Sequence, residues 1–321
     1  MNDKEKYTAY CATNPVPIFS QPWWLDAVCE PRLWNVALVE RDGRIIASLP
    51  YEERKRMGLH LMRMPQLTQV LGPRLEYPAN QKTATRLAFE KAVLVELVGK
   101  LPDCDLFSQR FHHSITNVLP LHWKGFVNDV RYTYLIPDLS DVEIVWNGFQ
   151  DKTRADIRKA QRIVRVSSDP DIERFLSINE MSFRRQGLPL PYSPELVRRL
   201  DRICEEKSSR KMWFAHDDAG RVHAAVYLVW DQDSAYYLMG GGDPELRNSG
   251  ATSLLIWEAI QFASSVTRVF DFEGSMLEPI ERFVRSFGAE QVRYFHLLKM
   301  SKRMKVLWSM RDIGRAVAGS V

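Results

Sequence analysis

The chain has 321 residues, 45% of them hydrophobic and 26% charged, which is enough for two packed domains and excludes a disordered chain. Its formal net charge of +4 is too small to indicate nucleic acid by itself. The four cysteines, Cys11, Cys29, Cys104 and Cys204, lie far apart, so no zinc spacing is present and no metal is expected.

The opening MNDKEKYTAY is polar and lacks the apolar stretch of a signal peptide. No segment approaches the roughly 20 apolar residues of a membrane span. Together with the scattered thiols this predicts a soluble, cytoplasmic protein. Residues 1 to about 17 read as an irregular lead-in ended by Pro15 and Pro17. Ser20 and Pro22 mark a helix start. LWNVALVE and IIASLPYEERK, joined by RDGR with Gly43 at a left-handed position, read as a hairpin. An apolar, proline-broken stretch follows. The periodicity then predicts a helix from about Asn80 to Lys100, with Leu87, Val93, Leu94 and Leu97 on one side. CDLFSQRF reads as a buried strand, ITNVLPLHWKGF as a short helix and turn, and VRYTYLI as a strand.

The second half opens on the basic helix KTRADIRKAQRIV, and two more helices follow, the second capped by Ser193. KMWFAHD, VHAAVYLVW and SAYYLMGG are strands. A helix runs from Gly250 to about Ser264, RVFDFEG is a buried strand, PIERFVRSFGA a short helix and QVRYFHLL a closing strand. The tail LKMSKRMKVLWSMRDIGRAVAGSV is basic and amphipathic, with Met300, Met304, Leu307, Trp308 and Ile313 roughly on one face. Such a helix suits an anionic membrane surface, its own domain or a twin subunit.

The halves repeat. VALVERDGRIIASLPYE matches WFAHDDAGRVHAAVYLV, DLFSQRF matches VFDFEGS, and LHWKGFVNDVRYTYLI matches RSFGAEQVRYFHLL. The last match sets Gly125 against Gly288, and Arg131-Tyr132 against Arg293-Tyr294. Three matches in one order predict two copies of a single αβ unit.

A strand that runs through glycines into a capped helix is a place for anions, because the first helical amides have no partner and carry the positive end of the dipole. Gly250 sits at such a junction, with Arg247 beside it, Ser249 as a cap and Thr252 as a further hydroxyl. An ordinary capped helix with nothing bound fits the same residues. Gly240, Gly241 and Gly242 allow irregular backbone just before it, and a plain tight turn would use them equally well.

The repeated unit resembles the GNAT acyltransferase fold, whose pyrophosphate loop has the form Gln/Arg-x-x-Gly-x-Gly/Ala. RNSGAT supplies Arg247 and Gly250 and departs at Thr252. Tandem units with the phrases TRADIRKAQR, YYLMGGGD, GATSLLIWEAI and FDFEGS resemble the Fem-like acyltransferases. The resemblance implies a mixed α/β fold of two GNAT-like units: a degenerate one over 1–136, one with the loop over 137–300, and a basic helix over 301–321. It also implies an N-acyltransferase whose donor is acyl-CoA or, as in Fem-type enzymes, aminoacyl-tRNA. A thioester donor is favoured by the modest charge and by the lack of a long heptad run for a coiled-coil hairpin. The amine acceptor would be an envelope or polysaccharide precursor. A non-catalytic binding protein on the same fold is the alternative.

Under that reading Gly241, Gly242, Arg247, Asn248, Ser249, Gly250, Ala251 and Thr252 hold the donor. Alternation on a strand puts Asp271 and Glu273 on one face, as a general base or as structural acids. Tyr236 and Tyr237 alternate, so one of them faces the cleft or both pack in the core. Arg154 and Arg158, with Arg162, share a helix face that would meet phosphates or remain solvated. Gln69, Gln109 and His112 are candidates for the acceptor side. His112 and His113 on a strand would point oppositely and so bind no common metal. With no GxSxG motif and no Cys/His pair, direct attack by a bound acceptor is expected.

Overall fold

The computed structural model describes residues 1–29, 33–274 and 276–309. The chain forms two compact units, Met1–Arg131 with Tyr294–Val321, and Tyr132–Arg293.

In the first unit, α1 (Asp3–Thr13) and α2 (Pro22–Cys29) precede a hairpin of β1 (Trp34–Arg41) and β2 (Arg44–Arg56). Then come β3 (Leu59–Arg63), the short β4 (Arg74–Leu75), α3 (Thr83–Gly99), β5 (Leu106–Arg110), α4 (Leu119–His122) and β6 (Val127–Ile136). The lead-in expected to be irregular is helical. Asn2 accepts from the Glu5 amide while the Glu5 side chain accepts from the Asn2 amide, a capping box. Tyr7 anchors this helix: it is fully buried and its hydroxyl donates to the Ser20 carbonyl at 2.8 Å. On α3, Val93, Leu94 and Leu97 are buried as expected, but Leu87 is 48% exposed.

The second unit holds α5 (Val142–Gly148), α6 (Asp151–Ala160), β7 (Arg165–Ser167), α7 (Ile172–Arg185) and α8 (Pro194–Glu206). The antiparallel set β8 (Arg210–His216), β9 (Val222–Trp230) and β10 (Ser234–Gly242) follows. The chain continues through α9 (Ala251–Ala263), β11 (Val269–Asp271), α10 (Glu278–Arg285) and β12 (Glu290–Met300). Helix α9 is buried nearly all round because it packs on β8 and β9 on one side and α6 on another.

The two units share one topology. In the first, β1–β2–β3 is followed by β5 parallel to β3 and then β12 antiparallel to β5. In the second, β8–β9–β10 is followed by β11 parallel to β10 and β6 antiparallel to β11. The final strands are therefore exchanged: Tyr132–Ile136 completes the second unit and Tyr294–Met300 completes the first. The expected boundaries after 136 and 300 differ from this division because sequence order assigns each closing strand to the half that encodes it. The division falls at the matched dipeptides Arg131-Tyr132 and Arg293-Tyr294.

Of the expected C-terminal helix, residues 302–309 are helical, with Met304 buried against Leu61 and Leu106. Residues 310–321, including Ile313, lie outside the described residues. No helix among the described residues is long and apolar enough to cross a membrane.

Candidate functional site

The second unit has a sheet opened between two parallel strands. β10 pairs with β11 over Ser234↔Val269, Ala235↔Phe270 and Tyr236↔Asp271. β11 then ends, while β10 continues to Gly242 along β9 with a bulge at Leu238. Each strand end is held from its own side. The β11 end leans on β6: Phe272 N–H donates to the Tyr134 carbonyl at 3.0 Å, and Thr133 Oγ1 donates to Asp271 Oδ1 at 2.5 Å. Glu273 and Gly274 both take left-handed backbone, φ 56° and 57°. Gly274 packs so tightly on Tyr132 and Thr133 that a β-carbon there would overlap their backbone. The β10 end is held by α7. Asn179 Nδ2 donates to the Gly240 carbonyl at 2.7 Å, and Gly242 N–H donates to Ser182 Oγ at 2.9 Å. Beyond Tyr236↔Asp271 the two strands no longer pair, which leaves a gap in the hydrogen-bond ladder between Tyr237–Gly242 and the segment after Asp271.

The glycines have separate reasons. A β-carbon on Gly240 would collide with the Tyr237 ring, and one on Gly241 would lie 2.6 Å from Asn179 Cα. At Gly241 the neighbour is the α7 backbone, which requires a glycine, whereas at Gly240 it is the outer end of a side chain. Gly250 is left-handed at φ 82° and caps α9 without a side-chain bond. A β-carbon there would lie 2.9 Å from the Asp156 carbonyl carbon of α6. Lys159 of α6 also donates to the Asn248 carbonyl at 2.6 Å. The loop is clamped by α6 on that flank. Ser249 Oγ accepts from the Ala251 amide at 3.3 Å. The amides of Thr252 and Ser253, in the first turn, have no side-chain cap and no carbonyl behind them within the helix. Arg247 is exposed and forms no ion pair among the described residues.

Residues 149–277 match the family model of the acetyltransferase (GNAT) domain. The second unit has the GNAT fold. FemX superposes with a TM-score of 0.66 at 12% identity, over 92% of this chain and 96% of that one. The C-terminal DUF2156 domain of a candidate lysylphosphatidylglycerol synthetase from Agrobacterium fabrum gives 0.55 at 12%, over 96% and 95%. A tandem GNAT protein from the clavulanic acid biosynthesis pathway gives 0.50 at 13%, over 92% and 93%. No curated protein matches the chain. At these identities the structural likeness is one of fold. Over most of its length the chain has the fold of FemX and of a tandem GNAT protein, and residues 149–277 also match the GNAT domain model.

Within the GNAT unit the residues singled out from sequence separate. Tyr237 and Glu273 border the gap. Burial pushes the Tyr237 phenol up to about 12, so it stays protonated. Asp271 is buried and engaged: besides Thr133 it accepts the Glu273 amide at 2.7 Å, and burial raises its carboxyl to about 6. The expected alternation that put Asp271 and Glu273 on one face fails, because the strand ends at Asp271 and Glu273 is left-handed. Tyr236 is buried, with its hydroxyl 3.4 Å from Asp231, near the start of β10 and away from the Gly242 end. Tyr192 was not anticipated. Its hydroxyl donates to Asn179 Oδ1 at 2.9 Å, and burial, with smaller contributions from Tyr237 and Glu273, raises it to about 12. Only the fold brings it there from the segment before α8.

The basic helix face is also divided. Arg154 pairs with Asp151 and donates to the Asn147 carbonyl at 2.9 Å, closing the end of α5. Arg158 is exposed, 5.7 Å from the Trp146 ring, and Arg162 lies beyond the helix end. The first unit holds the acceptor-side candidates. Gln109 is buried and its amide serves the Pro50 and Leu71 carbonyls at 2.9 and 2.7 Å, a structural bridge. Gln69 Nε2 is 3.5 Å from the Tyr294 hydroxyl. His112 lies past β5, not on it. Its ring lies 4.1 Å from that of His113, tilted by 36°, instead of pointing oppositely, and burial lowers it to about 3. No cluster of His, Cys, Asp and Glu able to hold a metal occurs among the described residues.

Proposed function

We propose that this protein transfers an acyl group from acyl-CoA to an amine acceptor by direct attack. The observation that carries the reading is the opening of β10 from β11 beside the uncapped start of α9. In this reading the Thr252 and Ser253 amides and the Arg247 guanidinium take the donor's diphosphate. Gly241, Gly242, Asn248, Ser249, Gly250 and Ala251 shape the loop and do not touch the phosphates through side chains. The acyl arm lies along Tyr237–Gly242. The acceptor nitrogen attacks the thioester carbon, the C–S bond breaks, and the Tyr237 phenol donates its proton to the departing thiolate. Glu273 takes a proton from the amine, and Asp271 positions Glu273 through its amide. Orientation of the two reactants supplies most of the acceleration. The acceptor we favour is an amine on an envelope or polysaccharide precursor. Calorimetric titration with CoA tests the reading: binding that Arg247→Ala weakens about tenfold is expected, and absence of heat with the folded protein overturns it.

A second reading, an aminoacyl-tRNA donor, draws support from the Fem-like architecture and from α6. That helix covers one flank of the phosphate loop and presents the exposed Arg158 to solvent. It predicts binding of charged tRNA that falls steeply with salt and is weakened by Arg158→Ala. Flat salt dependence would remove it.

A further inference from the structure

The first unit carries an amphipathic edge that the proposed chemistry does not use. β2 and β3 are joined by the two-residue turn Met57-Gly58, both with positive φ, 51° and 72°. Asparagine, aspartate or glycine normally fills such positions. Here the first is a methionine whose side chain is 88% exposed at the tip of the hairpin. Cross-strand pairs Arg56↔Leu59, Arg54↔Leu61 and Glu52↔Arg63 put three arginines, two leucines and the Arg54-paired Glu52 on one face. The helical residues 302–309 lie against this face. Met304 packs on Leu61, and Arg303 Nη1 donates to the Gly58 carbonyl at 3.1 Å.

Between the hairpin and the helix is an apolar slot of about 240 Å3, lined by Met57, Leu59, Leu61, Met304, Leu307 and Trp308. Arg56 and Arg63 rim it and also border a neighbouring basic cavity of about 510 Å3 that includes Arg54 and Lys55. Lys55, Arg56 and Arg63 have no ion-pair partner among the described residues, and Lys302 and Lys305 of the helix are exposed. Val306, Leu307 and Trp308 are 53%, 43% and 44% exposed.

We propose that this edge docks on the surface of an anionic phospholipid bilayer. The cations meet lipid phosphates, and Met57, Leu307 and Trp308 enter the boundary between headgroups and acyl chains. Charge complementarity selects this occupant. A second copy of the chain would bring the same cluster of cations against itself. A nucleic acid backbone would satisfy the cations but leave Met57, Val306 and Leu307 in water.

Flotation of the full chain with vesicles tests the proposal. Vesicles of phosphatidylcholine containing phosphatidylglycerol should carry at least about ten times more protein than phosphatidylcholine alone, and added salt should reduce this. Met57→Asn, which suits the turn and keeps the hairpin folded, combined with Trp308→Ala should weaken partition about tenfold or more. Arg56→Gln and Arg63→Gln should each weaken it about fivefold. Thermal melting establishes that the variants remain folded. Equal recovery on the two vesicle types overturns the proposal, as does flotation unchanged in the variants. Displacement by soluble glycerol phosphate would assign the cations to a phosphate ligand. Dimerisation in sedimentation that Met57→Asn abolishes would assign the edge to a second copy. Either result also overturns membrane docking.

Discussion

Gly250 and Asp156 are packed backbone to backbone: a β-carbon on Gly250 would lie 2.9 Å from the Asp156 carbonyl carbon. The glycine of the expected phosphate loop is therefore needed to seat α6 on α9, whatever the loop binds. Gly250→Ala should destabilise the protein by at least about 2 kcal/mol, from the left-handed backbone and the clash together. Loss of donor binding in that variant would carry no information about phosphates. Arg247→Ala is the clean probe. Arg247 is exposed and unpaired among the described residues, so the unfolding free energy should stay within about 0.5 kcal/mol of the parent while CoA affinity falls. Denaturant unfolding and calorimetry on the same preparations check both statements.

Asn179 is the tie between α7, the end of β10 and Tyr192, through its bonds to the Gly240 carbonyl and from the Tyr192 hydroxyl. Asn179→Ala should cost about 1–3 kcal/mol, because it leaves buried polar groups without partners. Turnover should fall further than in Tyr192→Phe, which keeps the bond to Gly240. If both variants turn over equally, the position of the β10 end is not set by Asn179.

The sequence made the strands, the hairpins and the duplication legible, because alternation and turn residues are local signals. Exchange of the closing strands was not legible: VRYTYLI and VRYFHLL fit either unit equally, and the choice is made by pairing over long separations. The need for glycine at Gly241 and Gly250 could be read, but not its cause, since the partners are the backbones of Asn179 and Asp156 on other helices. The helix at the N-terminus is legible in the capping pair Asn2 and Glu5, and Pro15 and Pro17 mark only where it has already ended. Tyr192 left no trace, because its importance comes only from Asn179 and the gap. Asp271 and Glu273 misled because the period-two rule stops where the strand stops.

Tyr237 is the half-buried phenol beside the gap, and its hydroxyl and ring edge occupy the space a side chain at Gly240 would need. Tyr237→Phe keeps that packing and removes only the hydroxyl. Under the acyl-CoA reading it should lower kcat by about 100-fold, a common magnitude for losing a general acid, with little change in KM for the donor. A thioester with a more acidic thiol leaving group should be transferred with a much smaller penalty. If the penalty does not depend on the leaving group, Tyr237 is a packing residue.

Asp271 gives a pH signature. Burial raises its carboxyl from 3.8 to about 6, so the folded chain holds this proton more tightly than the unfolded chain. Its contribution is complete below about pH 3.8 and is lost as pH rises through about 6. Asp271→Asn keeps an oxygen to accept from Thr133 Oγ1 and the Glu273 amide and carries no charge. The variant should match the parent near pH 4 and be more stable above pH 6, by about 2–3 kcal/mol from a shift of that size. Subtracting parent from variant cancels the shared contributions of His112 and His113, whose lowered values act in the opposite direction on acidification. Urea midpoints measured across this range give the difference curve. A variant less stable than the parent above pH 6, with the difference closing toward acid pH, would mean that the charged carboxylate is the form the fold prefers, and that the hydrogen bonds from Thr133 and Glu273 outweigh burial.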